Sequence, residues 1–310
     1  MNTQPGIYVS IDELLGLQEQ SRHIADNLSS MTKSMLQGNR PSKMHGRGGA
    51  FDQIRNYLAG DDVRNIDWNV TARTGKPYIR VFNEEHERPL IVLVDQSANM
   101  FFGTKKQLKS VVAAQIAAYI SWMAFNHKRP CGAVIFGDDD CVAYRPKSNQ
   151  LNLHGILQQV VDFNQQLKNT TQPSAENSFV TGLKRLNQIV AKDAFVLLIS
   201  DFTQVNEECW QLIEKLSFRT NVIATPIYDG VVEQLPQDGQ FLARYAGIEA
   251  ELDFSVSRSR QHIEQNALAR VEQVKHKLSQ YGVPSLLFST YQDVEQQLVS
   301  GLFINGGGHV

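Results

Sequence analysis

Two aspartates stand where cation binding or acid chemistry would need them. Asp95 ends the apolar run Leu90-Ile91-Val92-Leu93-Val94 and opens the loop Asp95-Gln96-Ser97-Ala98-Asn99, while Asp201 follows Phe195-Val196-Leu197-Leu198-Ile199-Ser200. Positions 95, 97 and 99 alternate, so three short oxygen-bearing side chains can converge on one point. Hard divalent cations such as Mg²⁺ select oxygen ligands and keep several waters, which makes a shared magnesium site the functional reading. The alternative is that Asp95 and Asp201 cap helices or accept backbone amides, as aspartates at strand ends often do. Spacing alone favours neither.

A site shared by these two residues requires their strands to lie side by side, with ligands gathered beyond the carboxyl ends. The continuous apolar run before Asp95 is of strand length and suits a parallel strand buried on both faces. Elements then alternate: a helix over 105–126, a strand over 132–136, helices over 153–167 and 179–190, a strand over 194–200, a helix over 207–216 and a strand over 221–227. The turn at 137–141 is too short for a crossover helix, so the short strand 142–144 is expected on an antiparallel edge. A hairpin excursion is expected over 229–254, interrupted by Pro236 and Gly239, then a helix over 257–281, a buried strand over 284–289 and a closing helix through Leu298, capped by Thr290 with Asp293. The pattern is α/β, a doubly wound and mostly parallel sheet.

Ahead of the sheet, apolar residues from Ile11 to Leu36 recur at helical spacing, with Ser10 and Glu13 as a capping box. The organisation expected is therefore an amphipathic helix and loop over 1–45, a small polar β-rich module over 46–88 that includes a strand at 78–82, the sheet domain over 89–303, and a fraying tail over 304–310.

Composition removes several functions. With 42% hydrophobic residues in 310 the chain can bury a large core, and 30 Lys and Arg against 32 Asp and Glu leave a net charge of −2, with no basic field for nucleic acid. No stretch approaches the ~20 apolar residues of a membrane span, and the N-terminus lacks a signal-peptide pattern, so an unexported, cytoplasmic protein is expected. Cys131, Cys141 and Cys209 form neither CxxC pairs nor an even set. The turn Asp138-Asp139-Asp140 lacks the alternating ligands and distal Glu of a calcium loop, and the histidines show no HExxH spacing. GxGxxG, GxxxxGK[ST] and GxSxG are all missing, which leaves nucleotide hydrolysis and serine-hydrolase chemistry without a basis.

A strand ending in aspartate with serine two residues on, a long helix after it, and a distal apolar strand ending in aspartate together resemble the von Willebrand factor A fold. There the pattern forms the metal ion-dependent adhesion site. The segments Gly49-Ala50-Phe51, Ile54-Arg55-Asn56-Tyr57, Gly60-Asp61-Asp62-Val63-Arg64-Asn65-Ile66-Asp67-Trp68 and Ala72-Arg73-Thr74-Gly75 closely resemble the signature of the bacterial family called domain of unknown function 58. The resemblance runs from Gly46 to Phe303. It implies Asp95 and Ser97 as metal ligands, Asn99 where serine is usual, and Asp201 as the distal aspartate. Ser178, or Thr181 after it, would fill the place of an intermediate threonine. Mg²⁺ is the implied cofactor, at a degenerate site. The implied role is a non-enzymatic adaptor working with a MoxR-type AAA+ ATPase on a client protein, in maturation or chaperone-like remodelling. Many relatives carry transmembrane helices near the N-terminus; this chain resembles the soluble subgroup.

Within the signature, Arg55, Arg64 and Arg73 lie among Asp61, Asp62, Asp67 and Trp68. Guanidinium groups pair with carboxylates bidentately and stack on indole faces, so the cluster is either an internal network or a partner surface. The competing function is a Mg²⁺-dependent phosphohydrolase using Asp95, which would want a second carboxylate at position 97 and a lysine or arginine in the site. A metal-free structural scaffold is the third reading.

Overall fold

The computed structural model describes residues 5–27, 45–58, 60–83, 88–168, 177–230, 240–245, 248–253 and 257–304. The expected extension of the first helix to Leu36 and most of the tail fall outside these. The chain divides into two units, Gln37–Glu87 and the remainder, so the N-terminal helix belongs with the sheet.

That helix, α1 (Ile11–Asn27), opens on Ser10, whose Oγ accepts the Glu13 amide at 3.2 Å. The smaller unit follows as β1 (His45–Asn56), α2 (Trp68–Thr74) and β2 (Tyr78–Asn83), with β1 and β2 antiparallel. The sheet unit continues with β3 (Leu90–Asp95), α3 (Lys109–Asn126), β4 (Cys131–Phe136), β5 (Cys141–Lys147), α4 (Gln150–Gln166), α5 (Ser178–Ile189) and β6 (Phe195–Ser200). It closes with α6 (Glu207–Ser217), β7 (Asn221–Tyr228), β8 (Gln240–Tyr245), β9 (Ile248–Asp253), α7 (Ser257–Gln280), β10 (Phe288–Ser289) and α8 (Val294–Ile304).

The six-stranded sheet has the order β10-β7-β6-β3-β4-β5. All pairings are parallel except β4 with β5, which is antiparallel at the edge and carries Pro146, tolerated there because an edge strand has amides that need no ladder partner. The expected hairpin forms its own two-stranded sheet, β8 with β9. The last strand is shorter than the apolar run suggested: only Phe288 and Ser289 pair with β7, with one isolated bridge from Ser285 to Ala224.

All six residues of β3 are buried, and its alternation divides the core. Leu90, Val92 and Val94 pack with α1, α3 and α4 on one face; Ile91 and Leu93 pack with α5 and α6 on the other. Trp122 Nε1 of α3 donates to the Leu14 carbonyl at 2.9 Å, and Tyr119 and Asn126 bond Gln20 and Ser21, so α1 is held on this layer by polar contacts as well as by Leu14 and Ile24.

Candidate functional site

Strand order decides whether the two aspartates meet. β3 lies between β4 and β6, and Val94 faces Ile199, so the next residues along the two strands are Asp95 and Ser200. Asp95 Oδ2 accepts the Ser200 hydroxyl at 2.5 Å, while Oδ1 accepts the Ser97 amide at 3.0 Å and its hydroxyl at 2.7 Å. The serine of the DxSxN loop thus closes a tight turn on its own aspartate.

Asp201 follows Ser200 directly. Its Oδ1 accepts the amide and hydroxyl of Thr203 at 2.9 and 2.7 Å, and Oδ2 pairs with Lys109 Nζ at 2.7 Å. Between Asp201 and Thr203, Phe202 sits at φ 56, in the left-handed region that costs a non-glycine residue about 1–2 kcal/mol. Its amide is satisfied by Ser200 Oγ at 3.0 Å. The sharp turn lets two consecutive positions, 200 and 201, both serve the edge.

Burial, with the Asp201 carboxylate second, pushes the Asp95 carboxyl up to about 7, against the opposing hydrogen bonds from Ser200 and Ser97. Such a shift means that the folded state disfavours a second negative charge here.

Neighbouring loops complete the edge. Asn99 lies in a one-turn 3₁₀ helix after Ser97; it is buried, and its Oδ1 has no hydrogen-bond partner. Asp138 Oδ2, from the acidic turn between β4 and β5, accepts the Ala98 amide at 2.8 Å, so that turn fixes the Asp95 loop. Ser178, at the start of α5, donates to Gln204 Oε1 at 3.2 Å, and Asn177 donates to the Gln204 carbonyl at 2.7 Å, joining α5 to the loop after Asp201. Thr181 lies one turn further along α5 and is exposed.

Lys109, Ser200, Thr203 and Gln204 escaped the sequence reading. Ser200 was visible as the neighbour of Asp201. Lys109 gave one signal, a lysine at the start of a helix, where the positive end of the macrodipole disfavours it.

The donors are all hard oxygens, and Asn99 Oδ1 has unused lone pairs, which suits a divalent ion. However, every carboxylate oxygen of Asp95 and Asp201 already accepts a hydrogen bond or ion pair, and Lys109 supplies a positive charge directly on Asp201. Among the described residues no group of three or more His, Cys, Asp and Glu side chains is placed to hold a metal. With Lys109 where it stands, the residues do not fit a resident divalent ion.

In the smaller unit the Arg/Asp cluster separates into parts. Arg55 pairs bidentately with Asp61, both contacts at 2.8 Å, and Asp61 also accepts the Leu58 amide. Asp62 caps the 3₁₀ turn Val63–Asn65 by accepting the Arg64 amide. Asp67 caps α2 through the amides of Asn69 and Val70, and its ion partner is Arg80 of β2, at 2.8 Å, rather than one of the three arginines singled out in the sequence. Arg80 and the α2 amides hold the Asp67 carboxyl below its ordinary range. Gly75 ends α2 at φ 71, where a side chain would be strained. Trp68 is 69% exposed, and Arg64 and Arg73 are exposed and take part in none of the ion pairs among the described residues.

No helix among the described residues is long and apolar enough to cross a membrane. An uncharacterized protein of Mycobacterium tuberculosis is 25% identical over 262 residues, 84% of this chain and 80% of its own length. Among solved structures, the conserved hypothetical protein BatB from Bacteroides thetaiotaomicron aligns over 71% of this chain and 98% of its own, at 9% identity and a TM-score of 0.38. An aerotolerance-related membrane protein from Bacteroides fragilis aligns over 71% and 97%, at 10% identity and a TM-score of 0.41. The family model described as protein of unknown function DUF58 matches residues 53–275, from β1 of the smaller unit through both aspartates to α7, and the chain belongs to that family.

Proposed function

We propose that the chain is a non-enzymatic protein-interaction adaptor of von Willebrand factor A type, docking its partner at the carboxyl edge of the sheet around Asp95, Ser97, Asn99 and Asp201. The observation that carries this is the convergence of two loops, those after the adjacent parallel strands β3 and β6. Asp95 is bonded to Ser97 and Ser200, and Asp201 to Lys109 and Thr203. Ligands of open α/β sheets gather at such an edge. The family resemblance supplies the partner class, a MoxR-type AAA+ ATPase and a client protein passed to it.

One observation favours the phosphohydrolase reading: Lys109 meets its requirement for a lysine in the site. The second carboxylate it needs is still Ser97, and that hydroxyl is committed to Asp95. The adaptor reading is therefore preferred.

Capture from native lysate, with the full chain as bait in Mg²⁺ and in EDTA and read by mass spectrometry, tests it. The adaptor reading expects the ATPase with wild type and its loss with Asp201→Asn. Equal capture by both moves the docking face elsewhere, and loss in EDTA alone makes it magnesium-dependent. Mg²⁺-stimulated turnover of phosphate esters, lost in Asp95→Asn, would establish the enzyme instead.

A further inference from the structure

Lys109 is the first residue of α3, where its charge meets the positive end of the helix macrodipole, and Leu108 before it provides no side-chain cap. Helix physics favours an acid or a neutral residue there. The side chain is nevertheless only 13% exposed, and Asp201, whose side chain is 3% exposed, holds the ammonium at 2.7 Å. The Phe102 ring, with its centroid 5.4 Å from Nζ, lies against the same ammonium. A backbone bond from the Lys109 amide to the Phe102 carbonyl, 2.8 Å, fixes the start of the helix beside that ring.

The loop before Lys109 is fixed as firmly. Thr104 donates from its amide and hydroxyl to Asp229 at the end of β7, and the Leu108 amide donates to the Gly6 carbonyl. Lys109 is therefore delivered to Asp201 by the fold rather than swinging there on a free surface. A residue that breaks a local rule and is compensated by one specific distant partner marks a functional position.

We propose that Lys109 is a tethered cation that takes the place of a divalent ion at this edge, so that the site keeps its geometry without a metal. The inference rests on the reading of this edge as the docking face and names what holds that face together. Asp201 receives from within the chain the charge that a metal would have brought. Asp95 is left to the hydroxyls of Ser97 and Ser200.

The test is thermal melting and calorimetric titration with Mg²⁺ and Mn²⁺ on the full chain, in wild type, Lys109→Arg, Lys109→Met and Lys109→Met/Asp201→Asn. Wild type and Lys109→Arg are expected to show no cation-dependent rise in Tm. Lys109→Met, with its carboxylate uncovered, is expected to bind Mn²⁺ about tenfold or more tightly than any binding by wild type. The double variant should lose that gain. A wild-type Tm that rises with Mg²⁺ overturns the proposal, as does a folded Lys109→Met that stays indifferent to both ions. If Lys109→Met does not fold, the wild-type and Lys109→Arg titrations decide alone. These measurements contain no partner, so the docking reading stands or falls separately, on capture by Asp201→Asn.

Discussion

Replacing Asp95 by Asn removes a buried ionisable group while keeping its shape and, through Oδ1, the acceptor for the Ser97 amide and hydroxyl. In the folded chain this carboxyl titrates at about 7, against an ordinary value of 3.8. Between those values the native state holds a proton that the unfolded chain has released, so raising the pH favours unfolding. The stability tied to the Asp95 proton is complete below about pH 3.8, declines across the window and is gone above about pH 7. At about 1.4 kcal/mol per pH unit, the full window is worth on the order of 4 kcal/mol. Urea denaturation followed by far-ultraviolet circular dichroism, from about pH 5 to about pH 8, reads the part that is accessible, on the order of 3 kcal/mol. Wild type should lose that stability as pH rises, and Asp95→Asn should not, so the variant gains on wild type steadily from about pH 5 to about pH 8. Asp67 contributes in the opposite sense, since its lowered pKa makes its share disappear on acidification, and both proteins carry it. The difference between the profiles isolates Asp95. Parallel profiles would refute the reasoning.

Three further outcomes are expected. Asn164→Ala should cost about 2–3 kcal/mol in urea unfolding, because Asn164 accepts the buried Val9 amide and donates to Gln96 Oε1, leaving both without it. Lys128→Gly should raise stability by about 0.5 kcal/mol, read as a small rise in Tm, since Lys128 is exposed after α3 at φ 57, where glycine is unstrained. Trp68→Ala should leave Tm within error, its ring being 69% exposed; a clear drop would mean that the ring packs within its unit.

The sheet was legible because its strands are continuous apolar runs: β3, β4 and β6 are buried along their whole length, and a parallel strand covered on both faces has no polar side to obscure the signal. That Asp95 and Asp201 stand at the carboxyl ends of their strands was legible for the same reason, each closing such a run, and the strand order makes those strands neighbours. Lys109 was not, because it comes to Asp201 from 92 residues away and nothing local calls for it. The start of α3 was expected at Lys105, yet residues before Lys109 follow tertiary bonds instead, with Thr104 on Asp229 and Leu108 on Gly6. In the smaller unit, composition marks Arg and Asp as partners without saying which pair, and of Arg55, Arg64 and Arg73 only Arg55 is in an ion pair among the described residues. The partner of Asp67 is Arg80, on the solvent side of a strand whose alternation was recognised only for what it buries.

The carboxyl edge around Asp95 and Asp201 is where this chain is proposed to meet its partner. Calorimetric titration of the purified full chain, wild type and Asp201→Asn, with a MoxR-type ATPase, the partner proposed above, is the decisive measurement, with circular dichroism confirming that both are folded. Saturable binding by wild type is expected, weakened about tenfold or more by the substitution, equivalent to about 1.4 kcal/mol or more. Unchanged affinity in a folded Asp201→Asn protein would contradict it.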